Sequence, residues 1–227
     1  MTSKERGECL YQPQKWNYEQ LKAYLFLLLR KPKETILSLD QFPEIIELPE
    51  GLHEVLNQMR DQSLDKHERF SVIGGEQNSH STYLSATIIK AEIHKVPPEI
   101  VLAERNKANK NALEVIVTNH SHATDSDYPN QSFSAGDLYN IISPNDPSLK
   151  AICLAERNIN MLAFPSKETA LGVDPMIFSQ DTFVNFWGEF SRKNSLTNWK
   201  TTMEIAKRHK LVIYFGLPNA DLKRITG

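Results

Sequence analysis

The sequence predicts an α+β fold, one mixed β-sheet flanked by helices, with an N-terminal extension. Three observations predict it. Short runs dense in β-branched and apolar residues, at 69–75, 113–118 and 211–215, have the length and composition of buried strands. Segments with apolar residues three and four apart, at 19–30 and 51–64, have the period of helices. Polar, Gly- and Pro-marked stretches separate the two kinds, and no internal repeat or low-complexity tract interrupts the alternation.

Taken in order, residues 1–47 read as an extension and 48–227 as the main domain. Within the extension, Leu21, Tyr24, Leu25, Leu28 and Leu29 make one helical stripe, ended by Lys31-Pro32. A short apolar piece, Ile45-Ile46, follows Pro43. The helix at 51–64 gathers Leu52, Val55, Leu56 and Met59 on one face. The strand at 69–75 is expected to end in a double-glycine turn, Gly74-Gly75. A second strand is expected at 83–93, a short helix at 98–109 and a third strand at 113–118. The stretch 120–136 is polar and turn-rich, and Ser134 is placed to cap a helix over 134–142. Residues 149–155 and 159–164 read as a hairpin around Glu156-Arg157-Asn158. Helices at 182–190 and 199–208 precede the strand at 211–215, the last one expected.

Composition narrows the class. The 227 residues include 26 Lys plus Arg and 28 Asp plus Glu, a net charge of −2, so a basic nucleic-acid-coating protein is not expected. At 40 % hydrophobic and 24 % charged, the chain is too apolar for intrinsic disorder. Its two cysteines, Cys9 and Cys153, exclude a disulfide framework and any site of several thiolates, which suits a reducing, cytoplasmic compartment. The longest apolar run, 25–29, is far short of the roughly 20 residues a membrane span needs. Residues 1–8 are polar and charged, so no signal peptide is expected.

The chemistry gathers around His120-Ser121-His122, directly after the 113–118 strand, and Asp137 fifteen residues beyond His122. Histidines at i and i+2 on an extended chain face the same side and can grip one metal ion. Asp137, at the start of the next helix, can supply a third ligand. Three protein ligands with an open fourth position is the arrangement of a catalytic zinc site. Hydrolysis at such a site also needs a proton carrier that is not a ligand. Glu68, at the entry of the 69–75 strand, is placed for that, and the Ser134 hydroxyl for donating to an oxyanion.

These residues resemble the JAMM metalloprotease family, also called JAB/MPN. The family pattern is a Glu in a context like E-x-x-G-x-x-x-G, then H-S/T-H-P, then S-x-x-D. Here the chain reads Glu68-Arg-Phe-Ser-Val-Ile-Gly-Gly75, His120-Ser121-His122 and Ser134-Ala135-Gly136-Asp137, and the helix at 51–64 matches the family's first helix. The resemblance spans roughly residues 50–215. It implies a cytidine-deaminase-like sheet, Zn2+ on His120, His122 and Asp137, Glu68 as acid and base, and Ser134 supporting the oxyanion. It also implies cleavage of a peptide or isopeptide bond, often at the C-terminus of ubiquitin or a ubiquitin-like protein, whose conjugate is the partner. Neither nucleic acid nor membrane is an expected partner, and association into a homo- or hetero-oligomer stays open.

The chain departs from the family pattern at Ala123, where the family has Pro, and at Ser71, where it has Gly. The interval from His122 to Asp137 is also longer than usual and holds Asp125 and Asp127, rivals for the third ligand position. Glu76 is a rival for Glu68. The remaining histidines, His53, His67, His80, His94 and His209, read as surface or packing residues, and Cys153 as core. Phe183, Phe186, Trp187 and Phe190 have the spacing of a core or interface stripe. Gly74-Gly75 lacks the Lys of a phosphate loop. Two other classes compete with the hydrolase: a non-catalytic JAB/MPN scaffold, and a metal-dependent hydrolase of unrelated fold.

Overall fold

Apolar runs and amphipathic stripes form strands and helices where the patterns place them, with the differences noted below. The computed structural model describes residues 15–30, 36–76, 82–84, 88–92, 96–110, 113–122, 132–142, 151–171 and 179–226. The strands are β1 (Lys15–Trp16), β2 (Ile45–Ile46), β3 (Arg69–Glu76), β4 (Thr82–Leu84), β5 (Ile89–Lys90), β6 (Leu113–Ser121), β7 (Ala151–Ala155), β8 (Asn160–Pro165), β9 (Leu211–Gly216) and β10 (Leu222–Arg224). The helices are α1 (Tyr18–Arg30), α2 (Glu50–Gln62), α3 (Pro98–Lys110), α4 (Ala135–Ile142), α5 (Lys167–Leu171), α6 (Gln180–Lys193) and α7 (Asn198–Arg208).

The strands join in one open sheet in the order β1-β2-β10-β9-β8-β7-β6-β3-β4, with β5 also on β3. It is mixed: β1/β2 and β6/β7 are parallel, the other pairs antiparallel. Strand alternation sends successive side chains to opposite faces, and each face carries its own core. One face presents Ile73, Val117, Cys153, Leu162, Phe164, Val212 and Tyr214 to the apolar sides of α1 and α2. The other presents Ile152, Leu154, Met161, Ala163 and Ile213 to α4, α6 and α7, and Phe70 and Val72 to α3. Helices on both faces explain why β7 and β8 are buried almost throughout. Phe183 and Trp187 are part of this core, as their spacing predicts.

Three features differ from the sequence reading. The glycine pair does not turn the chain: β3 runs through Gly74 and Gly75, which pair with Val115 and Glu114 on β6 and with Tyr83 and Thr82 on β4. The register shifts between Ile73 and Gly74, leaving one extra residue, Ile116, on β6 as a bulge. The chain also has a strand after β9, since β10 folds back antiparallel onto it. Finally, β10 brings β2 and β1 into the same sheet, and Trp16, Tyr24, Phe42 and Ile46 of the N-terminal segment are buried in the α1/α2 core. Tyr214 on β9 donates from its buried hydroxyl to the Pro43 carbonyl at 2.6 Å. The expected strand at 83–93 appears as β4 and β5, with residues 85–87 and 93 outside the described residues. Among the described residues, no helix is long and apolar enough to cross a membrane.

Candidate metal centre

The two histidines stand at the end of β6, a strand held on both sides. His120 is opposite Phe70 of β3 and beside Leu154 of β7. Arg69 pairs with Ser121, so one further step of the same register sets Glu68 opposite His122. On the other side, one further step of the parallel register sets Glu156 beside His122. Residues opposite each other point to the same face. Glu68, His122 and Glu156 therefore form one row across three strand ends, with His120 in the row beneath. This is the carboxyl end of the parallel pair β6/β7, a common place for ligand sites in open sheets.

The third ligand candidate arrives on α4. Leu138, Tyr139, Ile141 and Ile142 bury one side of that helix against the sheet and fix its first turn. Ser134 and Asp137 close that turn reciprocally. The Asp137 N–H donates to Ser134 Oγ at 3.2 Å, while Asp137 Oδ2 accepts from the Ser134 N–H at 2.7 Å and from its hydroxyl at 2.8 Å. This is the logic of a capping box with Asp in the place of Glu. A carboxylate in a first helical turn also faces the positive end of the helix dipole.

The cap aims Asp137 at the histidines. Its Oδ1 lies 3.1 Å from His120 Nε2 and its Oδ2 lies 3.4 Å from His122 Nε2. The imidazole rings are 5.1 Å apart between centroids and tilted by 64°. One ligand atom from each of the three side chains lies within 4.8 Å of the others, so the triad can hold a metal ion. His120 Nε2 is buried and makes no hydrogen bond, even though Asp137 Oδ1 is near enough for one. An orphaned buried nitrogen is costly and calls for a partner.

Electrostatics couples the group. Burial opposes ionisation of Asp137, but the two imidazoles outweigh it and hold the carboxyl well below the usual range. Burial likewise opposes a charge on His122, but Asp137 and Glu156 outweigh it and push that imidazole well above its ordinary value. Glu68 is 5 % exposed, and burial raises its carboxyl above the usual range; His120 and His122 pull it down, and Asp137 and Glu156 push it up. A carboxyl raised by burial and facing the two imidazoles is suited to accept and release a proton.

The structure thus brings together His120, His122 and Asp137, and puts Glu68 in their electrostatic field. Ser134 is adjacent, but its hydroxyl is engaged by Asp137. Glu76 is at the opposite end of β3, paired with Leu113, about 26 Å along the strand from Glu68 at strand rise. Asp125, Asp127 and Ala123, with the lengthened loop, lie outside the described residues, as do His80 and His94. Glu156 was missed by the sequence reading, which placed it in a turn. Its carboxylate Oε1 is 2.6 Å from His122 Nδ1. The available signal was an acidic residue directly after the wholly apolar strand Ala151–Ala155.

Fold and site together define a mixed α/β protein with a candidate metal centre at its parallel strand ends. No protein-family model matches the chain, and no curated protein matches it.

Proposed function

We propose that this chain is a zinc-dependent hydrolase of the JAMM (JAB/MPN) type, cleaving a peptide or isopeptide bond next to the C-terminus of a ubiquitin-like protein in the cytoplasm. The observation that carries it is the convergence of His120, His122 and Asp137 in front of Glu68, side chains brought from three separate parts of the chain. Tetrahedral bonds of about 2.0 Å set ligand atoms about 3.3 Å apart. The N–O separations of 3.1 and 3.4 Å fit that spacing. In this reading residues 48–227 are the JAB/MPN-like domain, and the N-terminal extension is built onto its sheet through β2 and β10.

Zinc bound by the triad would supply Lewis acidity, polarising the scissile carbonyl and making water a nucleophile near neutral pH. The protein's own part is positional. The strand ends orient His120 and His122, and the α4 cap orients Asp137. A Glu68 carboxylate oxygen takes the proton from the attacking water and returns it to the leaving nitrogen. For Ser134 to donate to the oxyanion, its hydroxyl must turn from Asp137 Oδ2 toward the substrate, a donor worth about 2–4 kcal/mol where it acts.

The test is metal content and cleavage measured together. The purified protein is expected to hold zinc at one ion per site. Glu68→Gln is expected to keep the zinc while cleavage of a ubiquitin-like conjugate falls by about 10²–10⁴-fold. A protein that takes up no zinc, or a Gln variant that cuts at the parental rate, overturns the proposal.

A further inference from the structure

We infer that Glu156 is a positioning residue of the metal centre, its carboxylate setting His122 so that Nε2 is the nitrogen offered to the metal. The inference rests on the zinc reading above and concerns a residue outside the triad and the acid/base.

The two ring nitrogens of His122 face different carboxylates. Nε2 is turned to Asp137 at 3.4 Å, and Nδ1 to Glu156 Oε1 at 2.6 Å. A metal can take only a nitrogen that carries no proton, so the other nitrogen must carry it. A carboxylate next to Nδ1 holds the proton there and leaves the Nε2 lone pair free, and it makes the ring a stronger donor to the metal. Glu156 Oε1 is buried and has no aligned hydrogen-bond donor. The unmet oxygen and the unmet His120 Nε2 are then two sides of one incomplete site. Both are among the five buried side-chain polar atoms without a partner among the described residues.

Glu156 is also held by its backbone. It closes the β7–β8 hairpin: its N–H donates to the Ile159 carbonyl at 2.9 Å, and the Ile159 N–H donates back at 3.4 Å. From the opposite face of the sheet, Arg60 on α2 donates from Nε to the Glu156 carbonyl at 2.5 Å and from Nη2 to Asn160 Oδ1 at 2.6 Å. Arg60 is itself fixed by Asn57 Oδ1 at 2.5 Å. A carboxylate carried on a turn tied by its own hairpin bonds and by Arg60 has little freedom to leave the histidine. That is how a supporting residue of a metal site should be held.

The experiment is zinc affinity by chelator competition on the full chain, for wild type, Glu156→Gln and Glu156→Ala, with the melting temperature of the metal-free proteins as a fold control. Glu156→Ala is expected to weaken zinc binding by about 10–100-fold. Glu156→Gln keeps an acceptor oxygen without the charge and is expected to recover part of that loss. Wild-type affinity in a folded Glu156→Ala protein overturns the role of Glu156 while the zinc reading stands. Equal losses in the Gln and Ala variants also overturn it, because a merely structural effect needs no acceptor at that position. A wild-type chain that takes up no zinc removes both the zinc reading and this inference.

Discussion

Phe70 stands directly opposite His120 in the antiparallel pairing of β3 with β6, and that single registration carries Glu68 to His122. A slip of one residue would send Glu68 to the other face of the sheet, away from both imidazoles. The buried side chains of Phe70 and Val72 hold the register, because a slip would turn them toward the α2 side. Hydrophobic packing in the β3/α3 layer thus sets the geometry of the candidate acid/base.

Zinc is expected to stabilise the fold. At a free concentration 100 times the dissociation constant, a ligand that binds only the native state adds about 2.7 kcal/mol. Thermal melts with added zinc and with a chelator should differ accordingly. His120→Ala should abolish the difference, since it removes the buried nitrogen at the centre of the triad.

Ser134→Ala removes the one hydroxyl that both accepts from the Asp137 N–H and donates to its carboxylate. A lost cap of this kind costs about 1 kcal/mol. Chemical denaturation of the metal-free protein should report that loss. Chelator competition should show weaker zinc binding as well, because the freed carboxylate loses one of the bonds that aim it.

Tyr214→Phe tests how the N-terminal segment is attached. It deletes the buried hydroxyl that donates to the Pro43 carbonyl and leaves that acceptor unmet, a cost of about 1–3 kcal/mol. Denaturation midpoints should fall, and proteolysis within 36–49 should quicken, since the bond joins that segment to β9.

Asp65→Asn tests the clamp in front of Glu68. Asp65 Oδ2 accepts from Arg69 at 2.8 Å and from Lys90 at 2.8 Å, and those bonds hold its carboxyl well below the usual range. A carboxyl depressed on folding adds stability above its unfolded value, about 3.9, and that stability is lost as pH falls toward the folded value. Wild type should therefore lose more stability than Asp65→Asn between about pH 4 and pH 2, as followed by urea denaturation. Parallel curves for the two proteins would show that the clamp contributes nothing.

Much of the architecture was legible locally. The helical stripes at 19–30 and 51–64 appear as α1 and α2, and the β-branched runs as β3, β6 and β9, because period and branching act within a few residues. The two histidines could be assigned to one face from their spacing alone, and Ser134 to a helix cap from its position before α4. Glu68 could be preferred to Glu76 from the sequence only because it precedes the strand, as the pattern of the resembled family requires. The antiparallel pairing with β6, which puts Leu113 beside Glu76 and Ser121 beside Arg69, shows which of the two lies at the histidine end.

The sequence by itself determined the strand and helix segments, the chemical types available and the shared face of His120 and His122. Tertiary structure decided that Gly74 and Gly75 continue β3, that β10 returns to β9, and that β1 and β2 extend the same sheet. It also decided that β6 and β7 run parallel, which alone sets Glu156 beside His122. The reason is that periodicity is a property of neighbours along the chain. Strand order, direction and register are fixed by burial and hydrogen bonding between segments far apart in sequence.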